Sequence, residues 1–420
     1  MAVKAVSDGA VRAHYEAYPY PPRDPADETK RLVVGSPSHW REIDHFCFGG
    51  GRDWRAPFRA LVAGGGTGDG LIMLAQQLKD AGTPAEIVYL DLSVASRAIA
   101  EARARQRGLK SIRFHAGSLL EVAALAPGPY DYIDACGVLH HLPDPAAGLA
   151  ALAAELAPDG GMGLMLYGAY GRTGVYAVQG ALRALGAGFD PAAKIALARR
   201  LLADLPKNHW FTRNPFVSDR RTMNDAALYD LLLHSIDRPF TVAEIFALAA
   251  GAGLAVTGFI EPARYDPAIY LNDAELKNRA MALPAPERAA LAEALASSMK
   301  THVFYAVPRA RAGQALAQAT DETMAPAPRE TTTETLVKLC ASGRVKVNLD
   351  GVPAVLNLPE GAAQMAGLCD GAHDLRAMRQ RLGLDGATFA ARFAQVYAVL
   401  NGLNLLLLRR GSAPRRSGVD

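Results

Sequence analysis

The chain has 420 residues, half of them hydrophobic, and a formal net charge of +3. A chain of this length can bury a large core, and we expect it to form two or more domains. The small net charge excludes a strong electrostatic footprint for nucleic acid. No segment reaches the roughly 18 apolar residues of a membrane span, and charged residues interrupt the N-terminus, unlike in a signal peptide. We therefore expect a cytoplasmic protein with no nucleic-acid or membrane partner.

The four cysteines are spread along the chain without C-x-x-C spacing, at Cys47, Cys136, Cys340 and Cys369. Such scattering is typical of a reducing compartment and favours neither a zinc site nor a disulfide framework. We therefore expect no metal cofactor.

Residues 1–57 are predicted to form an irregular N-terminal arm. A helix-like pattern covers residues 11–17. It is followed by Tyr18-Pro19-Tyr20-Pro21-Pro22-Arg23-Asp24, where three prolines among four residues favour an extended polyproline conformation. The arm thus precedes the regular pattern of strands and helices.

A buried strand, a glycine-rich turn and a helix follow the arm. The strand covers residues 60–63, the turn reads GGGTGDG over residues 64–70, and the helix begins with Leu71-Ile72-Met73. Consecutive glycines allow a tight turn close to a ligand, and a helix N-terminus after such a turn binds nucleotide cofactors. The dinucleotide spacing G-x-G-x-x-G and the triphosphate motif G-x-x-x-x-G-K-[ST] both fail here. The spacing present is G-x-G-x-G, at Gly64, Gly66 and Gly68.

A second buried strand, residues 86–90, leads directly to a carboxylate. This residue, Asp91, lies about 20 residues past the glycine turn, where an acid binds the hydroxyls of a ribose. The glycine turn and Asp91 together favour an adenosyl cofactor that is not a dinucleotide.

Strands and helices alternate from the glycine turn onward. Alternation at this spacing predicts a parallel sheet with helices on both faces. The predicted strands are 59–64, 86–91, 111–116, 130–136, 161–167, 254–260 and 302–307, and the predicted helices near the sheet are 69–79, 94–107, 146–156 and 241–252.

These motifs resemble, in order and spacing, the class I S-adenosylmethionine-dependent methyltransferases over residues 58–170. Residues 64–68 are similar to the first family motif and Asp91 to the second-strand acid, while 117–120, 131–145 and 157–161 are similar to the later motifs. The resemblance implies an α/β fold with a doubly wound, seven-stranded Rossmann-like sheet and S-adenosyl-L-methionine as the cofactor. It implies that the cofactor is bound by Gly64, Gly66, Gly68, Asp91, Leu92, Ser118, Leu119, Cys136 and Gly137.

Two adjacent histidines follow the fourth predicted strand. Methyl transfer requires a positioned nucleophile and, where that nucleophile carries a proton, a base. His140 and His141 are candidates for the base because histidine titrates near neutral pH. In the alternative interpretation, the pair orders the loop and contacts the cofactor, and the choice between the two histidines stays open.

Tyrosines on the arm and one loop further along the chain supply the other candidates. Tyr15, Tyr18 and Tyr20 can fold over the site as a lid, as N-terminal segments commonly do in the family; alternatively, they only anchor the arm. His209 lies in a polar-aromatic loop, residues 207–216, that either walls the substrate or belongs to the core. His45 and His234 are interpreted as structural.

The chain is predicted to contain two folded units. Residues 58–308 form the sheet domain, with helical insertions at 171–240 and 261–299, and residues 309–332 form a linker. Residues 333–410 form a small α+β domain with a hairpin at 344–352, a helix from Pro359 to Cys369 and a final strand at 403–408, before a tail at 411–420. This unit resembles winged-helix peptide-chaperone (PqqD-like) domains; the alternative is a dimerisation or packing module.

The sequence therefore predicts a methyltransferase that uses S-adenosylmethionine to methylate an oxygen or nitrogen atom of a small molecule or peptide. One alternative is a protein methyltransferase whose C-terminal domain binds a polypeptide. Another is a non-catalytic regulatory protein that binds the cofactor. A homodimer is compatible with each of these functions.

Overall fold

The computed structural model of the protein describes residues 2–217 and 223–410, so the predicted tail at 411–420 lies outside the described residues. One seven-stranded sheet has the order β3-β2-β1-β4-β5-β7-β6. β1 to β5 are parallel, and β7 runs antiparallel between β5 and β6. The strands are β1 Phe58–Ala63, β2 Ala85–Asp91, β3 Ile112–Ala116, β4 Tyr130–Cys136, β5 Leu156–Tyr167, β6 Leu254–Phe259 and β7 Thr301–Pro308. The predicted doubly wound sheet is confirmed.

Helices cover both faces of the sheet and build the two insertions. None of the helices within 2–217 and 223–410 has the length and apolar character needed to cross a membrane. The helices up to β7 are α1 Ala2–Ala17, α2 Trp40–Cys47, α3 Asp69–Asp80, α4 Val94–Gln106, α5 Val122–Leu125, α6 Pro145–Ala154, α7 Val175–Leu185, α8 Pro191–Asp204, α9 Trp210–Arg213, α10 Asp225–Leu232, α11 Val242–Gly251, α12 Ala274–Met281 and α13 Ala285–Ala296.

Side chains that alternate along the central strand separate two apolar cores. Ala60 and Val62 of β1 pack in one core with residues of α3 and α4. Leu61 and Ala63 pack in the other core with residues of α6 and α11. A parallel strand buried on both faces is expected to be apolar throughout, which explains the continuous hydrophobic run before the glycine turn.

Local sequence signals set several helix ends near the sheet. A capping box begins α11: the Thr241 hydroxyl accepts from the Glu244 backbone N–H, and the Glu244 carboxylate accepts from the Thr241 backbone N–H. The helix predicted over 146–156 ends earlier, at Ala154, and β5 begins at Leu156. Pro158 explains the early end, because its ring would clash with a helical carbonyl four residues before it.

The first insertion forms a helical layer with its own apolar core. The insertion predicted at 171–240 is helical and includes α8 and α10. Their buried side chains pack with those of α7 and α9, including Val175, Leu182, Ile195, Phe211 and Leu228. The insertion therefore positions α10 rigidly beside the sheet.

The segment predicted as a linker, 309–332, is instead folded. It contains a short 3-10 helix Arg309–Arg311, α14 Ala312–Ala315 and β8 Met324–Pro328, all of whose residues are buried. β8 pairs antiparallel with β11 Leu406–Arg410. Pro326 and Pro328 are two positions apart, so both missing N–H groups fall on one edge of the strand, where proline is tolerated.

The remaining C-terminal elements follow the predicted order. β9 Arg344–Leu349 and β10 Val352–Asn357 form the predicted hairpin, and Asp350 and Gly351 have the positive φ angles that its two-residue turn requires. The helix predicted from Pro359 to Cys369 is shorter. The resemblance to winged-helix peptide-chaperone domains stays a prediction. The helices of this part are α15 Thr333–Cys340, α16 Ala362–Gly367, α17 Leu375–Leu382 and α18 Gly386–Gly402.

Candidate active site

A cavity of about 390 Å³ lies at the carboxyl ends of β1, β2, β4 and β5. Ligands of a doubly wound sheet bind at this edge. The structure brings together at this cavity all the residues predicted to bind the cofactor, namely Gly64, Gly66, Gly68, Asp91, Leu92, Ser118, Leu119, Cys136 and Gly137.

The glycine turn between β1 and α3 leaves no room for side chains. Gly64 and Gly66 have φ angles of 68° and 51°, a region that side chains rarely adopt. A Cβ atom at Gly64 would overlap the side chain of Val138, and one at Gly66 would lie 3.2 Å from the carbonyl oxygen of Tyr20. The turn therefore requires glycine for two reasons: its backbone has positive φ angles, and neighbouring atoms occupy the space that a side chain would need.

Asp91 holds the glycine turn as well as lining the cavity. Its Oδ2 accepts from the backbone N–H of Gly66 at 2.8 Å, and its Oδ1 accepts from the backbone N–H of Ser93 at 2.8 Å. Burial raises the pKa of Asp91 from its usual value. Each carboxylate oxygen still has capacity for a further donor, which a ribose hydroxyl can supply.

These features fit an adenosyl cofactor. The cavity volume falls within the range of small-molecule sites, roughly 300–1,000 Å³. The glycine turn, the Asp91 carboxylate with its remaining acceptor capacity, Ser118 and Leu119 line the same space. The residues present therefore fit S-adenosylmethionine.

The N-terminal arm covers the glycine turn. Tyr15, Tyr20 and Pro21 line the cavity, and the carbonyl oxygen of Pro21 accepts from the Thr67 hydroxyl at 2.7 Å. The Arg23 guanidinium donates to Asp69, the first residue of α3, with Nε 2.8 Å from Oδ1. Two tyrosines of the predicted lid thus face the cavity.

The third arm tyrosine and the loop histidine lie elsewhere. Tyr18 stacks on Tyr229 with ring centroids 5.0 Å apart and is absent from the described cavity lining. His209 caps α9, accepting at Nδ1 from the backbone N–H of Phe211 at 3.0 Å, and the structure does not bring it to the cavity. Histidine at a helix start satisfies a backbone donor, which gives His209 a local role.

A buried carboxylate on α10 forms a polar group in the cavity. Asp230 accepts from the Tyr15 hydroxyl at 3.3 Å and from the Tyr167 hydroxyl at 3.1 Å. Burial raises the pKa of all three groups, so the phenols stay protonated and donate. Sequence reasoning missed Asp230 and Tyr167; the available signal was a single acid within the apolar stretch of α10.

The two adjacent histidines differ in their placement. His141 lines the cavity, and its Nδ1 lies 2.8 Å from the carbonyl oxygen of Ile236. His140 is fully buried behind it and stacks on Tyr167 with ring centroids 3.9 Å apart. Within the described part of the chain, neither ring nitrogen of His140 has a hydrogen-bond partner. The structure therefore brings His141, and not His140, to the cavity.

Further histidine rings pack around His141. His234 stacks on it with ring centroids 3.7 Å apart, and His14 of α1 lies 4.7 Å from His234. Burial lowers the pKa of each of these rings, that of His14 to about 3. In residues 2–217 and 223–410, no group of three or more histidine, cysteine or acidic side chains is arranged to hold a metal ion. The rings thus pack as neutral aromatic groups.

Comparisons with known proteins agree with this geometry. Residues 61–162 match a protein family that is described as a methyltransferase domain. The uncharacterized protein syc1184_c of Synechococcus sp. is 31% identical over 303 residues, which cover 70% of each chain. A segment of 131 residues is 32% identical to highly reducing polyketide synthase 40 of Fusarium pseudograminearum, covering 30% of this chain and 5% of that protein.

One solved structure extends the similarity of fold beyond the sheet domain. PKMT2 from Rickettsia typhi, in complex with AdoHcy, superposes with a TM-score of 0.60 at 14% sequence identity. The match covers 89% of this chain and 75% of that chain, so it includes part of the C-terminal elements. At this identity the likeness concerns the fold alone. The chain therefore belongs to one family with the Synechococcus protein, and its sheet domain is a class I methyltransferase domain.

Proposed function

We propose that the protein transfers a methyl group from S-adenosylmethionine to an oxygen or nitrogen atom of a small molecule or peptide. The observation that carries the proposal is a shared cavity. The glycine turn, Asp91 and His141 line the same space, so a cofactor and a proton acceptor meet there. When bound, S-adenosylmethionine supplies an electrophilic methyl group on a sulfonium.

Asp91 and the glycine turn would hold the cofactor. Each oxygen of the Asp91 carboxylate already accepts one backbone N–H, from Gly66 or Ser93. Each would also accept a hydrogen bond from a ribose hydroxyl. Ser118 and Leu119 stand where the family contacts adenine. Tyr15 and Tyr20 of the arm line the cavity and would exclude water from the bound cofactor, which strengthens the electrostatic interactions inside the cavity.

His141 is suited to accept the proton of the acceptor. A carbonyl oxygen can only accept, so the Nδ1 that faces Ile236 carries the ring proton and Nε2 carries the lone pair. Burial is the largest influence on His141 and lowers its pKa, which keeps the ring neutral at neutral pH. Nε2 can then take a proton from an O–H or N–H group as that atom is methylated.

The charges around the cavity favour neutral or cationic acceptors over anionic ones. Among the described lining residues, four are aspartates and none is a lysine or an arginine. Arg23 and Arg103 neutralise Asp69 from outside the lining. The described lining thus offers no cation to pair with a carboxylate or phosphate, and the acidic side chain of Asp230, which accepts from two phenols, adds none.

A methyl-transfer assay on the full chain tests this proposal. Formation of S-adenosylhomocysteine is measured with matched alcohols, amines and carboxylic acids, with short peptides that carry each of these groups, and with folded proteins. We expect product with neutral or cationic acceptors and none with carboxylic acids. Binding of S-adenosylhomocysteine without turnover on any class would favour the non-catalytic alternative, and turnover on folded proteins alone would favour the protein methyltransferase.

A further inference from the structure

An irregular segment of the arm, residues 33–37 just before α2, forms one wall of the cavity. Val33, Gly35, Ser36 and Pro37 all line it. These residues belong to no helix or strand. Contacts outside the segment must therefore hold its position.

Glu42 of α2 is the centre of those contacts. Its carboxylate is fully buried and accepts from the Ser36 hydroxyl at 2.7 Å and from the Tyr305 hydroxyl of β7 at 2.8 Å. The Asn404 amide, just beyond α18, donates to it at 2.7 Å, and the Arg329 guanidinium pairs with it. A buried carboxylate is stable only with such partners. Glu42 thus connects the wall, the sheet and the C-terminal elements, by which we mean β8 to β11 (residues 324–410).

Arg329, which follows β8, connects the wall to Glu42 directly. Its Nη2 donates to the carbonyl oxygen of Gly35 at 2.6 Å and to the Ser36 hydroxyl at 3.2 Å, while its Nε donates to Glu42. The planar fork of a guanidinium can serve these acceptors together, whereas a lysine ammonium is a single point charge. Arg329 therefore bonds both to the wall and to the residue that anchors it.

The sheet holds the other end of the wall. The Ser38 backbone N–H donates to the Tyr305 hydroxyl at 3.0 Å, and the Ser38 hydroxyl bonds to Asp134, which lines the cavity. The wall is thus fixed between two supports, one in the sheet domain and one in the C-terminal elements.

We infer that Arg329 is a positioning residue for the cofactor cavity, through which the C-terminal elements form part of the site. With Arg329 in place, residues 33–37 stay against the cavity, and without it Gly35 loses its donor and Glu42 its charge partner. The inference rests on the proposed function in taking S-adenosylmethionine as the ligand. Coupling of this kind is reciprocal, so cofactor binding also stabilises the docking of the C-terminal elements.

Calorimetric titration of S-adenosylhomocysteine into Arg329→Ala and Arg329→Lys variants of the full chain tests the inference. We expect Arg329→Ala to raise Kd by about ten-fold or more and Arg329→Lys to raise it less, because lysine keeps the charge opposite Glu42. Arg376→Ala is the control, since Arg376 pairs with Glu322 on the exposed surface of the same region. Its Kd should equal that of the wild type. Steady-state kinetics should place the effect of Arg329→Lys in KM for the cofactor more than in kcat.

The outcomes separate this inference from the proposed function. A folded Arg329→Ala variant with unchanged Kd would overturn the inference, as would an equal loss in Arg376→Ala. If Arg329→Ala does not fold, Arg329→Lys decides, and wild-type affinity in that variant would show a purely structural role. Failure of the wild type to bind S-adenosylhomocysteine would instead overturn the proposed function.

Discussion

Tyr15 on the first helix donates a hydrogen bond to Asp230 on α10 at 3.3 Å, across 215 positions of sequence. The bond joins the N-terminal arm to the first insertion, and both residues line the cavity. Burial raises the pKa of the Tyr15 hydroxyl and of the Asp230 carboxyl. The cavity is thus closed by two segments that are far apart in the chain.

Replacement of Asp91 by alanine should weaken cofactor binding. The substitution removes the ribose acceptor and also leaves the backbone N–H groups of Gly66 and Ser93 without their partner. Charged acceptors contribute roughly 1.5–3 kcal/mol each, so Kd for S-adenosylhomocysteine should rise at least about ten-fold. Glu86→Ala, at the other end of the same strand, is the matched control. Equal affinities for folded Asp91→Ala and the control would count against the ribose role.

The two adjacent histidines should respond differently to substitution. His141→Ala should lower kcat by roughly 100-fold or more, the usual contribution of a general base, with little change in Kd for S-adenosylhomocysteine. His140→Phe should keep turnover, because the His140 ring makes only aromatic contacts, with Tyr167 and His141, and no hydrogen bond in the described part of the chain. Loss of turnover in His140→Phe with full activity in His141→Ala would reverse the assignment.

The pH dependence of turnover should show the lowered pKa of His141. The base must be neutral, so kcat falls as pH drops through the pKa of His141, which burial places below its usual value of 6.5. With an alcohol acceptor, which does not titrate in this range, kcat should rise with a midpoint below 6.5 and reach a plateau by about pH 8. A midpoint at or above 6.5 would show that another group limits the reaction.

Asp134→Asn should stabilise the protein at high pH. Burial raises the pKa of Asp134 from 3.8 to about 6, so the folded state binds more protons than the unfolded state between these values. The stability that this group contributes is present at low pH and is lost as pH rises through about 6. The variant cannot ionise, and its free energy of unfolding should exceed that of the wild type by about 2–3 kcal/mol at pH 8. Chemical denaturation at pH 5 and pH 8 would measure this, and an equal difference at both values would contradict the account.

Local sequence patterns were sufficient to predict which residues meet at the cavity. The glycine turn and Asp91 follow consecutive strands, and the carboxyl ends of neighbouring parallel strands meet at one edge of the sheet. The apolar strand runs, the glycine spacing and the position of the acid therefore predicted that Gly64, Gly66 and Asp91 lie together, and they line the same cavity. The hairpin at 344–352 was also predictable from local sequence, since Asp350 and Gly351 at its turn readily adopt the positive φ that the turn requires.

The parts that could not be predicted depend on contacts between distant segments. The choice between His140 and His141 depends on how one turn after β4 packs against Tyr167 and Ile236. The strand β8 lacks a β-strand composition and is stabilised by pairing with β11, about eighty positions later. Burial of Glu42 likewise follows only from its partners in three separate regions.

Calorimetric titration of the full chain with S-adenosylhomocysteine and, separately, with NAD tests the central claim most directly. The glycine spacing and the carboxylate of Asp91 suit an adenosyl ribose and fail the dinucleotide pattern. The account predicts binding of one S-adenosylhomocysteine per chain and no detectable binding of NAD. Tight binding of NAD with no binding of S-adenosylhomocysteine would contradict it.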